Sequence, residues 1–204
     1  MSTMMQPKQE EPSKGTVFWT ALRVSILFIV LCGIVYPLVS TGLAQLMFPQ
    51  QANGSLLRDN DGNVVGSALI GQSFTDPSYF QGRVSSIDYT AEASGSNNYA
   101  PSNPEMLART QASIDQWRQD NPDVPIDQLP IALITNSGSG LDPHVTPESA
   151  QVQVPRISKL TGISISELQA LVDQYTESRD LGVFGDPRVH VLKLNLALKE
   201  RLEK

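Results

Sequence analysis

The sequence predicts a mixed α+β protein: a single N-terminal transmembrane helix followed by one extracytoplasmic domain with short strands and about four helices. Three observations predict it. The 24 residues from Val24 to Met47 carry no charge and are mostly apolar. Beyond them, helical stretches open on Asn-Pro, Thr-Pro and Ser-x-x-Glu signals. Between those stretches lie short runs of strand type bounded by Asp-Gly and Gly-rich turns.

The apolar run is long enough to cross a bilayer, since about 20 helical residues at ~1.5 Å each span the ~30 Å hydrocarbon core. A cleaved signal peptide is the alternative. It has an apolar stretch of only about 7–15 residues and a small-x-small cleavage site, and Ser40-Thr41-Gly42 is a poor match. Lys8, Lys14 and Arg23 precede or open the run, and the next basic residue is Arg58. This bias predicts a cytoplasmic N-terminus and a periplasmic C-terminal domain, the chain being a single-pass protein of the cell inner membrane. Pro37 predicts a kink. Residues 1–14 read as a disordered cytoplasmic tail, 15–48 as the anchor helix and 53–204 as the external domain.

Residues 53–204 carry 12 Lys and Arg against 19 Asp and Glu, a net of −7. Such a domain repels nucleic acid. The only cysteine, Cys32, lies in the apolar run, so the external domain has neither a disulfide nor a thiolate metal site. Asn53-Gly54-Ser55 matches a glycosylation sequon, a match too short to carry weight.

In chain order, residues 54–71 read as a β-hairpin turning at Asp59-Asn60-Asp61-Gly62. From Phe74 to Ser102 no period persists, which predicts a long loop bearing Phe74, Tyr79, Phe80 and Tyr89. Asn103-Pro104 opens a helix to about Gln119, with Leu107, Ile114 and Trp117 on one face. Ile131–Thr135 reads as a short buried strand. Thr146-Pro147 opens a helix that Pro155 kinks and Gly162 ends. Ser164 and Glu167 form a capping box for a helix whose face is Leu168, Leu171, Val172 and Tyr175. Val189–Leu194 alternates as a strand, and Asn195 caps a last helix.

Two segments attract a chemical reading. Ser137, Ser139, Asp142 and His144 fall within eight residues and suggest a hydrolase. A nucleophile elbow needs Gly-x-Ser-x-Gly, and Asn136 breaks that pattern. A phosphate loop needs Gly-Lys-[Ser/Thr], which is missing. As a metal site, Asp142 and His144 supply two ligands, and the other histidine, His190, is distant in sequence. A constrained connection or partner-docking turn fits better. The second segment, 71–83, presents Phe74, Tyr79, Phe80 and Arg83, residue types enriched at protein interfaces. Gly33 and Gly42 in the span are small residues that permit close packing against partner helices. Asp115, Asp120, Asp123 and Asp127 read as a solvated helix end.

Taken together, these stretches resemble a known family. Residues 66–83 approach Gly-Ser-x-Leu-Ile-Gly-Gln-x-Phe-Thr-Asp-Pro-x-Tyr-Phe-x-Gly-Arg. Ser-Gly-Ser-Asn stands at 94–97 and Pro-Ser-Asn-Pro at 101–104. Ser-Gly-Ser-Gly-Leu-Asp-Pro-His occupies 137–144, Gln-Val-Pro-Arg 153–156, and Pro-Arg-Val-x-Val-Leu-x-Leu-Asn-Leu-Ala-Leu 187–198. Their order and spacing resemble the C subunit (KdpC) family of bacterial Kdp potassium-transporting P-type ATPases, from about residue 20 onward. Val84 and Asn98-Tyr99-Ala100 depart from the family pattern.

The resemblance implies an accessory subunit of a high-affinity potassium uptake complex, required for assembly and activity. Its partners would be a channel-like potassium-binding subunit, a P-type ATPase subunit and a small single-span subunit, with lipid around its anchor. The family is described as a catalytic chaperone that raises the ATP affinity of the hydrolysing subunit. The chain is expected to bind no cofactor itself: ATP acts through the ATPase subunit, and potassium is the transported ion. There is no Asp-Lys-Thr-Gly-Thr phosphorylation motif and no Thr-Val-Gly-Tyr-Gly-like filter, so the expected role is non-catalytic. The alternatives are a membrane-anchored periplasmic hydrolase using Ser137 or Ser139, and an envelope binding module.

Overall fold

The computed structural model describes residues 13–203. The tail expected over 1–14 falls outside them except for its last two residues. The chain divides into two compact units, one ending at Asn53 and the other beginning at Gly54.

The first unit is a helical rod. Ser13 caps it by accepting from the Thr16 N–H at 3.3 Å. Helix α1 (Lys14–Val30) passes through a π turn (Leu31–Val35) into α2 (Tyr36–Met47), followed by the short α3 (Pro49–Ala52). The Lys14–Met47 helix is apolar and long enough to cross a membrane. The π turn is the local answer to Pro37, which lacks an N–H and crowds the preceding turn. The Tyr36 N–H reaches back five residues to the Leu31 carbonyl, the pattern that defines a π bulge.

The second unit opens with the expected hairpin, β1 (Leu56–Arg58) paired antiparallel with β2 (Val64–Ser67). Asp59 organises its turn, accepting from the Asp61 and Asn63 N–H groups at 3.1 and 2.8 Å, while Gly62 takes φ +83°. A loop then runs from Ala68 to Asn103 without a strand of more than one bridge or any helix. Asn103 caps α4 (Pro104–Asp120), as its Asn-Pro signal requires. Helices α5 (Pro147–Gln151), α6 (Val154–Thr161), α7 (Ile165–Gln174) and α8 (Val191–Leu202) follow, with a three-stranded antiparallel sheet of β3 (His144–Val145), β4 (Thr176–Glu177) and β5 (Arg188–His190). The strand order is β3-β5-β4.

The core lies between this sheet and α5–α8. Val145, Val189, Val154, Ile157, Leu168, Val172, Leu194 and Leu198 are all at most 3% exposed. The α7 face expected from Leu168, Leu171 and Val172 is buried there, and Ser164 caps α7 by accepting from the Glu167 N–H. Only half of the expected capping box forms, because the Glu167 carboxylate pairs with Arg201 at 2.7 Å instead.

Four expectations need correction. Ile131–Leu133 is a 3₁₀ turn rather than a buried strand, and Ile131 is 72% exposed. Pro130 fixes φ at its start, and the Thr135 hydroxyl bonds back to the Ile131 carbonyl. Pro155 does not kink one helix but separates two, α5 and α6, and stands in the first turn of the second. The final strand ends at His190, whose ring caps α8 by accepting from the Lys193 N–H; Asn195 is inside that helix and 3% exposed. On α4, Leu107 faces outward at 54% exposure, while Trp117 is buried.

Candidate functional site

The two segments that attracted a chemical reading are stitched together. The Gly71 N–H donates to the Leu141 carbonyl at 2.8 Å, and the Ser137 N–H to the Val84 carbonyl at 3.0 Å. Arg83 spans the gap, donating to the Asp142 carboxylate at 3.2 Å and to the Asn136 carbonyl at 3.0 Å. Ser85 donates to the Gly140 carbonyl at 2.7 Å. Glycine is needed where the strands of chain touch. A Cβ on Gly71 would sit 2.5 Å from the Asp142 carbonyl oxygen, and one on Gly140, at φ +69°, would sit 2.6 Å from Ile87.

Helices α6 and α8 hold the first segment from beneath with side chains that imitate a neighbouring strand. Asn195 accepts from the Phe80 N–H and donates to the Phe80 carbonyl, both at 2.9 Å. Gln153 does the same for Gln81, at 2.8 and 3.1 Å. Arg156 donates to the carbonyls of Pro77 and Tyr79 and to Asn121 and Gln153. Each of these three side chains is at least nine-tenths buried, and burying such groups is tolerated because their hydrogen bonds are met. Burial pushes the Arg156 guanidinium below its ordinary value, opposed by the charges of Asp120 and Asp76.

Electrostatics tighten the contact. Burial raises the Asp142 carboxyl, but hydrogen bonds from His144 and Arg83 outweigh it and hold the group below the usual carboxylate range. Burial and the nearby Asp142 charge push the Tyr89 phenol up to about 12, so it stays protonated and donates to the Arg83 carbonyl. Asp88 and Tyr89 both adopt left-handed φ, 50° and 55°, an uncommon state for side chains of this size. The Ser85 hydroxyl oxygen steadies them by accepting from the Ile87 and Tyr89 N–H groups.

This geometry is a cross-brace, not a nucleophilic triad. A triad places the histidine between serine and aspartate. Here His144 Nδ1 lies 3.5 Å from Asp142, Ser139 Oγ accepts from the Leu141 N–H, and the buried Ser137 hydroxyl has no partner among the described residues. The His144 ring instead meets His190 edge-on at 5.2 Å across the β3–β5 pair. Among the described residues no group of three or more His, Cys, Asp and Glu converges on a metal position.

Of the residues marked as interface candidates, Phe80 is 0% exposed and belongs to the core, which leaves it no surface to offer. Phe74 and Tyr79 pack against that core while partly exposed. Arg83, Asp142 and His144 are about one-quarter to one-third exposed at the junction of the two segments, and Ser139 is exposed while Ser137 is buried. Gly33 and Gly42 belong to the helical rod, each with open space where a Cβ would project. The clamps Asn195, Gln153 and Arg156 escaped sequence reasoning as site residues. For Asn195 and Arg156 the signal is a polar residue at the buried phase of an amphipathic helix, whereas Gln153 stands at the N-cap of α6.

A family model described as "K+-transporting ATPase, c chain" matches residues 18–200. The chain is 55% identical over 190 residues to a potassium-transporting ATPase KdpC subunit of Bacillus cereus, covering 93% of this chain and 98% of that one. It is 54% identical over 187 residues to a subunit of the same description from Bacillus anthracis, covering 92% and 97%.

Proposed function

Because the chain belongs to the KdpC family, the c chain of K+-transporting ATPases, we propose that it serves its complex as a non-catalytic accessory subunit that assembles and stabilises the transporting machinery. Its partners are a channel-like potassium-binding subunit, a P-type ATPase subunit and a small single-span subunit. The apolar helix anchors it in the membrane with the N-terminus inside, and residues 53–204 form the extracytoplasmic domain. ATP and potassium act through the partners. The chain's own contribution is a rigid external surface.

The observation that carries this reading is the cross-brace. Two loops bearing the family's motifs are locked to each other through Arg83 and Asp142 and to the helices beneath. Fixing irregular backbone costs about 1–2 kcal/mol per residue, and here that expense yields shape without a nucleophile. Rigid, irregular loops on a packed scaffold are the usual carriers of recognition.

The test is recovery of the complex in mild detergent. The tagged chain should bring down two large multi-span membrane proteins, and a reporter active only outside the cytoplasm, fused after Lys204, should be active. An inactive fusion in an assembled complex refutes the orientation. Purification of the chain alone, with esterase or peptidase activity lost on Ser137→Ala or Ser139→Ala, refutes the accessory role in favour of a hydrolase.

A further inference from the structure

One face of α4 borders a trough of about 420 Å³, within the ~300–1,000 Å³ range of built binding sites. Arg109, Gln116, Trp117 and Asp120 line it along the helix, with Arg83 from the cross-braced loop. From Arg109 to Asp120 the helix rises roughly 16 Å, enough for about five residues of extended chain at ~3.3 Å each.

Several donors on residues of the lining lack partners. The Trp117 indole N–H has no partner although the residue is 7% exposed, and Arg109 Nε and Nη1 and Arg83 Nε are likewise buried without partners among the described residues. Buried donors left unmet cost about 1–3 kcal/mol each, so an occupant rich in acceptors is favoured. Its charge pattern is also set. Arg83 is already neutralised by Asp142. Arg109, held beside the Tyr99 ring at 6.0 Å, has no carboxylate partner among the described ion pairs, while Asp120 stands at the far end. A polyphosphate would bring several negative charges against one uncommitted guanidinium and meet Asp120. A single carboxylate at the Arg109 end, followed by a row of carbonyls, matches the lining.

We propose that this trough receives an extended segment of a partner subunit, with an Asp or Glu side chain against Arg109 and backbone carbonyls facing the Trp117 indole. The proposal rests on the accessory-subunit reading and names the chemistry of one contact within it. Asp120 fixes the direction by repelling a second acidic residue at its end.

The experiment installs the photo-crosslinker p-benzoylphenylalanine at Gln116, inside the trough, in the full chain within the assembled complex. Arg118, about 200° around the helix from Gln116, is the control position. The expected result is a crosslink from Gln116, and not from position 118, to a segment of a co-purifying subunit that mass spectrometry shows to contain Asp or Glu. Arg109→Gln should lower the crosslink yield at least fivefold, and Arg109→Lys should restore part of it. An assembled complex with no crosslink from Gln116, or a crosslink to a segment lacking a carboxylate, to lipid or to this chain itself, overturns the proposal and leaves the accessory role standing. Failure of the unaltered chain to bring down any partner overturns both.

Discussion

Gly140 gives the sharpest test of the cross-brace, because Gly138 two residues away is its internal control. At Gly140 the backbone is left-handed, φ +69°, and an added Cβ would lie 2.6 Å from Ile87 Cγ1 and 2.9 Å from the Gly95 carbonyl oxygen. At Gly138 φ is not positive and an added Cβ meets no atom within 4 Å. Gly140→Ala therefore carries a left-handed penalty of about 1–2 kcal/mol and an overpacking penalty of about 1–3 kcal/mol, while Gly138→Ala stays within about 0.5 kcal/mol. For a domain of this size the first corresponds to a fall in Tm on the order of 5–15 °C and the second to under ~2 °C. Thermal unfolding of the full chain in detergent reads the difference through Trp117 fluorescence, with Trp19→Phe removing the other tryptophan. Equal midpoints for the two variants would refute the argument that position 140 is held between loops. In cells, Gly140→Val should impair assembly and potassium uptake more than Ser139→Ala or His144→Ala. Loss of transport from either alanine change in a fully assembled complex would return chemistry to this loop.

Asn195→Leu should destabilise the domain by roughly 2–5 kcal/mol, because it strands the buried N–H and carbonyl of Phe80; an unfolding midpoint within ~0.5 kcal/mol of the parent would show that the clamp is dispensable. Stability should also fall between pH 7 and pH 5. Burial lowers the His190 pKa below 6.5, helped by Lys193 and His144 and opposed by the Ala68 carbonyl and Glu177. Below pH ~6.5 the unfolded chain thus takes up a proton the folded chain resists, so this contribution is complete above that pH and is lost as pH falls through the folded pKa. His190→Asn keeps a capping side chain and removes the titration, so its midpoint should change less over this window; an unaltered slope would exclude His190 as the source. Gly33→Leu with Gly42→Leu should weaken recovery of partners while leaving membrane insertion intact, and undiminished recovery would assign docking to the second unit alone.

What could be read in the sequence was local. Asp59 to Gly62 specify their turn within a few residues, and Asn103, Thr146 and Ser164 cap their helices by reaching two or three residues forward. The span and the α7 face follow from composition and period. The failures share a different character. Ile131–Thr135 is a short apolar run, for which periodicity does not separate strand from turn. Asn195 resembled a cap because asparagine favours caps, but its true partner, Phe80, is 115 positions away. At the candidate site, sequence found both loops yet not their union. Arg83 and Asp142 are 59 positions apart, and no local rule joins them. Phe80 reads in sequence as an interface candidate because the loop around it has no period; the helices below supply the order that the loop's own sequence lacks.

The paired amides of Asn195 and Gln153 give Phe80 and Gln81 the protection of sheet interior without a sheet. The N–H groups of Phe80 and Gln81 should exchange with solvent as slowly as those of β5, although their backbone is irregular. The order is also borrowed in time. The loop emerges from the ribosome long before α6 and α8, and pairing across 115 positions is slow to form. The stretch that carries the most distinctive motif of the chain therefore stays open to solvent, proteases and premature contacts until the last helix docks. Closure of that loop therefore reports, in one event, that α8 has docked.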